Sequence, residues 1–528
     1  MDKYAKILCT TFIVLLISGS AAYAKSDEIA VLQRAALFPV KYLCENLGGT
    51  VGWDASNKTV KVKYRNKSLE LKIGSSEIIS NGGVKALDIP VSAVGGRTLL
   101  PLDVFNRELG TELSEKDCLI ILSEKFVELL ENKNISEAET LLSKTFKEYF
   151  TGDELEILAD AVSETVFDFD GAQLSQNSVH QNLNIPISNK QGSYNYTIRF
   201  DYNGKIDEFR TSGKAQASAY SPPVYNGSGN FEEIEVSFGS NVWKLPGTLT
   251  IPKGSGPFPA VILVHDQGAN DRDESIGALK PFKDLAAGLA SQNIAVLRYE
   301  KRTLEHSTKA GLIANFTLNE ETEQDALAAG EFLKAMPEID FLKIVLLGHG
   351  QGGYALPEIM NAQKSIFRAG ILLGANIRPQ YELLQEQQEY LVSKGLSDKS
   401  RLDYIKGQVS MLKDFSFNPK NPPEGYTLGN EFYYNYMRTY DVQAAAAGIE
   451  KPVLVLQGGR DYQVNPEIDF KGWEEAFINS NADFRLYPKL NHMFTEGEGD
   501  STPGEYNTGA NIPQYVIDDI SNFIRNLE

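Results

Sequence analysis

Three short stretches hold the residue types that do acid–base or nucleophilic chemistry. Residues 343–354 read K-I-V-L-L-G-H-G-Q-G-G-Y, residues 458–462 read G-G-R-D-Y, and residues 486–494 read L-Y-P-K-L-N-H-M-F. In the first, Ile344 to Leu347 form an apolar run without alternation, as in a strand buried on both faces, which breaks into glycines where a new segment starts. The turn carries an imidazole, His349, but at its centre stands Gly350, with no side chain to offer. The other two stretches supply Asp461 and His492. An aspartate can orient an imidazole and hold its tautomer, which makes a base. Taken singly, an aspartate after a strand is usually a turn or cap residue and a histidine usually a satisfied polar group.

The elements that must position these residues follow from the same pattern. Apolar runs at 259–265, 293–299, 343–348, 369–374 and 452–458 alternate with helical periodicity at 282–291 and 321–335. That order predicts an α/β domain over 231–528 with a mostly parallel, doubly wound sheet, whose strand ends are the place for a site. Between 377 and 450 the strand pattern stops. A polar Glu/Gln-rich helix (381–395) and an aromatic stretch with Phe432, Tyr433, Tyr434, Tyr436 and Tyr440 predict a helical cap over a ligand cavity.

This domain resembles the α/β-hydrolase superfamily, in its dienelactone-hydrolase-like and acyl-esterase branch. The resemblance rests on the glycine turn, Asp461 and His492 occurring in that order, which is the order of nucleophile elbow, acid and base in this superfamily. It implies carboxylic ester or lactone hydrolysis, with Gly348 and Gly352 in the glycine places of G-x-S-x-G and Gly350 in the serine place. The nucleophile is therefore missing. The same resemblance puts an oxyanion-hole loop after residue 264, where H-D-Q-G sets Asp266 in a place that relatives give to glycine. Asp266, Gln267 and Gln351 are the oxyanion-hole region, His349 and Arg272 are supporting residues, and a carboxylate there opposes a developing oxyanion. Two altered positions suggest relaxed selection on catalysis. The expectation is an esterase-type protein, inactive or impaired, that binds a small acyl ester-like ligand or a surface partner. The alternative is an active hydrolase in which His492 and Asp461 activate water, or Asp266 replaces the serine.

The rest of the 528 residues adds context. Residues 1–24 combine Lys3 and Lys6, an apolar run and Ala22-Tyr23-Ala24, which predicts a signal peptide and hence a secreted or cell-surface protein without membrane insertion after cleavage. A net charge of -19 disfavours nucleic acid and anionic membranes as partners. Residues 28–122 repeat a proline-started helix, P-V-K-Y-L-C-E-N-L-G at 39–48 and P-L-D-V-F-N-R-E-L-G at 101–110, each followed by a predicted strand pair, the second at 119–122. With G-G-T-V-G-W-D (48–54) and G-R-T-L-L-P-L (96–102), this segment is similar to the copper amine oxidase N-terminal-like domain, which implies a stalk with cell-wall association. Residues 123–211, two predicted helices and a hairpin, resemble a small nuclear-transport-factor-type α+β domain with no titratable cluster, and 212–230 form a Gly/Ser/Pro linker. Cys44 and Cys118 leave a disulfide and two buried thiols both open. The five histidines show no metal-binding spacing, so no metal and no cofactor are expected.

Overall fold

The computed structural model describes residues 37–213, 220–227, 229–478 and 481–527. The signal peptide expected at 1–24 and linker residues 214–219 and 228 lie outside them.

The C-terminal domain is built on an eight-stranded sheet. Its strands are β1 (Phe231–Phe238), β2 (Leu245–Pro252), β3 (Phe258–Val264), β4 (Ala295–Tyr299), β5 (Ile339–His349), β6 (Ala369–Leu373), β7 (Val453–Gly458) and β8 (Ala482–Tyr487), in the spatial order β1-β2-β4-β3-β5-β6-β7-β8. β1, β2 and β4 pair antiparallel and the remainder parallel. Alternate residues of the central strands feed two cores. Ala260, Ile262 and Val264 face helices Gln324–Lys334 and Gln351–Ala362, while Val261 and Leu263 face Pro281–Ala290 and Gln514–Arg525. Because both faces are covered, these strands carry no polar alternation, which is why the sequence showed them as apolar runs. The sequence did not show β1, β2 or β8: β2 is interrupted by Pro246 and Gly247, and β8 is an edge strand with a half-polar pattern.

The cap between β6 and β7 consists of helices Gln380–Ser393, Lys399–Lys413, Glu431–Thr439 and Val442–Ala447. It has its own small core of Tyr381, Ile405, Val409, Leu412, Phe417, Tyr426 and Tyr434.

The N-terminal part departs from its expected division. The strands Leu37–Pro39 and Arg97–Pro101 pair antiparallel, and each runs into one of the proline-started helices, Val40–Asn46 and Leu102–Leu109. Between them lies a five-stranded meander from Thr50 to Ala86. The second expected strand pair does not form. Residues 119–122 lie inside a helix, Glu115–Glu131, started by a Ser114/Asp117 capping box. That helix crosses the expected boundary at 122/123, and a single hydrophobic core runs from Phe38 to Phe209 on both sides of it. The five-stranded sheet of residues 166–212 packs on this helix. Cys44 and Cys118 are both free and buried, so the disulfide does not form.

Phe126 is buried in this shared core and stacks on Phe209 at 5.5 Å between centroids. Phe126→Ala is expected to cost about 3–5 kcal/mol. Because the core is common, amide exchange should speed up together at Val62 and at Ile198; faster exchange on one side alone would show two independent units.

Candidate active site

β5 ends at His349, and the chain turns through Gly350 into helix Gln351–Ala362. Gly350 has φ 48° and ψ -115°, backbone that strains any residue with a side chain. Its neighbours cannot be enlarged either: a Cβ on Gly348 would meet the backbone of Gly352, and one on Gly352 would meet the carbonyl of Val264. The turn therefore presses against the end of β3, the strand that delivers Asp266.

Asp266 occupies the space above Gly350. A Cβ built on Gly350 collides with Oδ1 and Cγ of Asp266, so the carboxylate stands where a serine side chain would project. Its Oδ1 accepts the backbone N–H of Gln351 at 2.8 Å, the donor that follows the nucleophile place. Its Oδ2 lies 3.3 Å from His492 Nε2, and His492 Nδ1 lies 2.7 Å from Asp461 Oδ2. Asp461 is further held by the N–H groups of Gln463 and Val464 at 2.8 and 2.9 Å and by the Gln457 amide at 3.0 Å.

The result is one imidazole between two carboxylates. Burial by itself would lower the His492 pKa, but the charge of Asp461 and the contacts with Asp266 outweigh it and push the pKa up to about 10. Burial would raise Asp266, yet its hydrogen bond to His492, the charges of His492 and His349 and the Gln351 N–H hold it below the usual carboxylate range. The charged form of the His492 imidazole is therefore the favoured one, with the Asp266 and Asp461 carboxyl groups on its two sides.

The backbone of Asp266 is fixed on every side. Its N–H donates to Glu274 Oε1 at 2.6 Å, and its carbonyl accepts from Lys301 Nζ and from Asn270 Nδ2, both at 2.8 Å. Glu274 also holds His349 Nδ1 at 2.8 Å, and His349 Nε2 donates to the carbonyl of His492 at 3.0 Å. Lys301 pairs with Glu321 at 2.9 Å, which in turn accepts from the Gln351 side chain at 3.0 Å and from the hydroxyl of cap residue Tyr433. Lys301, Glu321 and Tyr433 were not legible as site residues, because their link to Asp266 exists only in three dimensions. Gln267 contributes its carbonyl to Asn270 at 3.0 Å, and Arg272 pairs outward with Glu235 and with Glu300 at 2.7 Å. Between the cap and the end of β7 lies a cavity of about 350 Å³, lined by Glu386, Tyr390, Asp461 and Tyr462 among others.

The five histidines are not scattered in space. His349 and His492 lie 4.5 Å apart, with His265 behind them against Phe282, and His180 and His306 form a second pair at 5.7 Å. The second pair adjoins Asp207, which corrects the expectation that residues 123–211 hold no titratable cluster.

Comparisons with known proteins identify the chain's family. A family model described as serine aminopeptidase, S33, matches residues 275–500, and one for the copper amine oxidase N-terminal domain matches 19–117. Esterase EstD of Thermotoga maritima is 32% identical over 406 residues, covering 76% of this chain and 93% of that protein. Among solved structures, Est1E from Butyrivibrio proteoclasticus aligns with a TM-score of 0.37 and 17% identity over 56% of this chain and 98% of its own. A dienelactone hydrolase from Anabaena variabilis aligns at 0.33 and 16%, over 56% and 99%. The chain belongs to the esterase family of α/β-hydrolases, and it carries a copper amine oxidase N-terminal domain ahead of the hydrolase domain.

The raised His492 pKa stabilises the fold fully below the ordinary histidine value and ceases to do so as pH climbs through about 10. The depressed Asp266 contributes above the ordinary carboxylate value, and its contribution is lost as pH falls through its lowered folded value. The melting temperature of the native protein should exceed that of Asp266→Asn most between about pH 4 and 6.5, at about 2–4 °C per kcal/mol. The gap should close toward pH 10; a gap independent of pH would mean that the ion pair does not form.

Proposed function

We propose that this is an exported member of the esterase family in which serine-type acyl transfer is silent and whose site is retained to hold a small ligand. The observation that carries this reading is the Asp266 carboxylate seated in the serine's space and on the Gln351 N–H. It removes the nucleophile's room, fills an oxyanion donor with a permanent anion and keeps His492 protonated. Loss of the nucleophile in a triad enzyme costs on the order of 10⁶ in turnover. The cap, with a cavity against it that the Asp461–Tyr462 loop lines next to the Asp266–His492 pair, supports ligand binding, and the signal-peptide pattern of residues 1–24 supports export.

The native protein should hydrolyse short-chain aryl esters near the background rate and without a burst. Gly350→Ser alone should not rescue it, since the hydroxyl meets Asp266 and the backbone strain costs about 1–3 kcal/mol. The pair Gly350→Ser with Asp266→Gly frees both the space and the N–H, and should raise turnover on the order of 100-fold, an increase abolished by His492→Ala. Rescue by Gly350→Ser alone, or strong esterase activity in the native protein, overturns the reading.

A second reading is favoured by the 3.3 Å contact between Asp266 and His492. A carboxylate attacking an acyl ester forms an anhydride, an uphill product, whereas attack on a tetrahedral carbon forms an ordinary ester. Asp266 Oδ2 would bond to an alkyl carbon while a halide leaves with the bonding electrons. The ester so formed has lost its charge, so His492 loses one of its two anionic partners, releases a proton to solvent and becomes a base. It would then take a proton from water attacking Asp266 Cγ, with the new oxyanion on Oδ1 facing the Gln351 N–H. Collapse breaks the bond from Cγ to the alkoxy oxygen, His492 gives its proton to the departing alkoxide to make the alcohol, and the carboxylic acid left behind passes its proton back to His492, which restores the resting pair. Turnover of 1-haloalkanes in ¹⁸O-labelled water should place label in the Asp266 carboxylate. Absence of both product and label removes this reading and leaves the first.

A further inference from the structure

The junction between the N-terminal part and the hydrolase domain buries a second constellation, separate from the first. His180 precedes the strand Gln181–Asn189, Asp207 lies in Ile206–Ser212, and His306 sits between helices Arg302–Glu305 and Ser307–Gly311. The two histidines are 1% exposed and Asp207 7%. One ligand atom from each lies within 4.8 Å of the other two.

Each of the three side chains is oriented by a partner on its far side. His180 Nδ1 meets Glu305 Oε1 at 2.5 Å, so its Nε2 points inward, 3.0 Å from Asp207 Oδ2. His306 Nε2 donates to the carbonyl of Lys244 at 2.8 Å, which fixes the tautomer and leaves Nδ1 as a lone pair. That nitrogen is buried and has no hydrogen-bond partner. Asp207 Oδ1 accepts from Ser143 and, at 2.7 Å, from Thr145, leaving Oδ2 for the centre. A carboxylate behind one imidazole, a carbonyl behind the other and hydroxyls behind the carboxylate are the supports that metal ligands have.

We propose that His180 Nε2, His306 Nδ1 and Asp207 Oδ2, with a water molecule completing the tetrahedron, form a zinc site that joins the N-terminal part to the hydrolase domain. Two imidazoles and a carboxylate are borderline-to-hard donors that suit Zn²⁺. Zinc bonds of about 2.0–2.1 Å set tetrahedral ligand atoms about 3.3 Å apart, close to the 3.0 Å already present between Nε2 and Oδ2. Binding exchanges the proton shared by these two atoms for the metal. The competing cation is Lys309, whose Nζ lies 3.1 Å from Asp207 Oδ2. It also reaches the carbonyl of Val242 at 3.3 Å and the Trp243 ring at 5.8 Å, both of which can keep it when zinc takes the carboxylate. Arg199 pairs with Glu305 at 3.1 Å, and Glu208 accepts the N–H groups of Thr308 and Lys309, so the remaining charges of the junction are matched without the metal.

The test is titration of the full chain, cleared of metal by a chelator, with Zn²⁺ by calorimetry and with Co²⁺ by visible absorption. One metal per chain, at micromolar affinity or tighter, with a tetrahedral Co²⁺ spectrum is expected, and zinc should slow amide exchange across 302–311. His306→Ala should weaken binding at least 100-fold and Glu305→Gln about 10–100-fold. Lys309→Met, which removes the rival cation, should tighten it. No stoichiometric binding by the native chain, or equal affinity in His306→Ala, overturns the proposal. If His306→Ala does not fold, failure of Lys309→Met to tighten binding overturns it instead.

Discussion

The hydrolase site depends on one buried charge arrangement, the imidazolium of His492 between Asp461 and Asp266. Two carboxylates and one imidazolium leave a net negative charge in a site almost closed to water: the Asp461 side chain is 0% exposed, His492 1% and Asp266 15%. Uncompensated buried charge is costly, and the surrounding structure answers it with donors. Gln351 and the backbone after Asp461 point N–H groups at the two carboxylates, and Lys301 places its ammonium on the carbonyl of Asp266. The glycines at 348 and 352 let strand and helix approach closely enough for these donors to reach. Altering any one partner leaves a buried charge without its match.

Much of this was legible in the chain itself. Strands buried on both faces appear as apolar runs, so the five central strands, the turn at Gly350 and the order of Asp461 and His492 could be read directly. The edge strands could not, since β8 mixes polar and apolar residues and β2 contains proline and glycine. The helix at Glu115–Glu131 was half misread because its L-I-I-L segment faces a core supplied by two segments at once, which erases the helical stripe. The His180–Asp207–His306 group was invisible for a different reason. Metal motifs are recognised by short spacings, and these residues are brought together only by the docking of two parts of the chain.

That docking also connects the two sites. The segment after β4 carries Lys301, which holds the loop of Asp266, and within five residues reaches His306 at the junction. Arg302 in between is locked to Asp325 in a buried pair, and Thr303 holds the carbonyl of Gly268 at 3.1 Å. One short helical segment thus has the candidate active-site loop on one side and the N-terminal sheet on the other. The small α+β part at residues 123–211 is therefore continuous with the hydrolase scaffold.

Gly350 and Asp266 look, in sequence, like two separate departures from the pattern of serine hydrolases, and two separate losses suggest drift. In space they are a single change. The carboxylate can enter only because Gly350 has no side chain, and a glycine at 350 without Asp266 would leave the Gln351 N–H and the His492 Nε2–H facing an empty volume. Each residue makes the other tolerable. Random decay of a disused site has no reason to produce a partner that fits the vacated volume, satisfies the exposed donor and neutralises the base. The fit therefore makes Gly350 and Asp266 one structural unit: the volume, the Gln351 N–H and the His492 Nε2 are all met by the same carboxylate, and neither residue can be exchanged without the other.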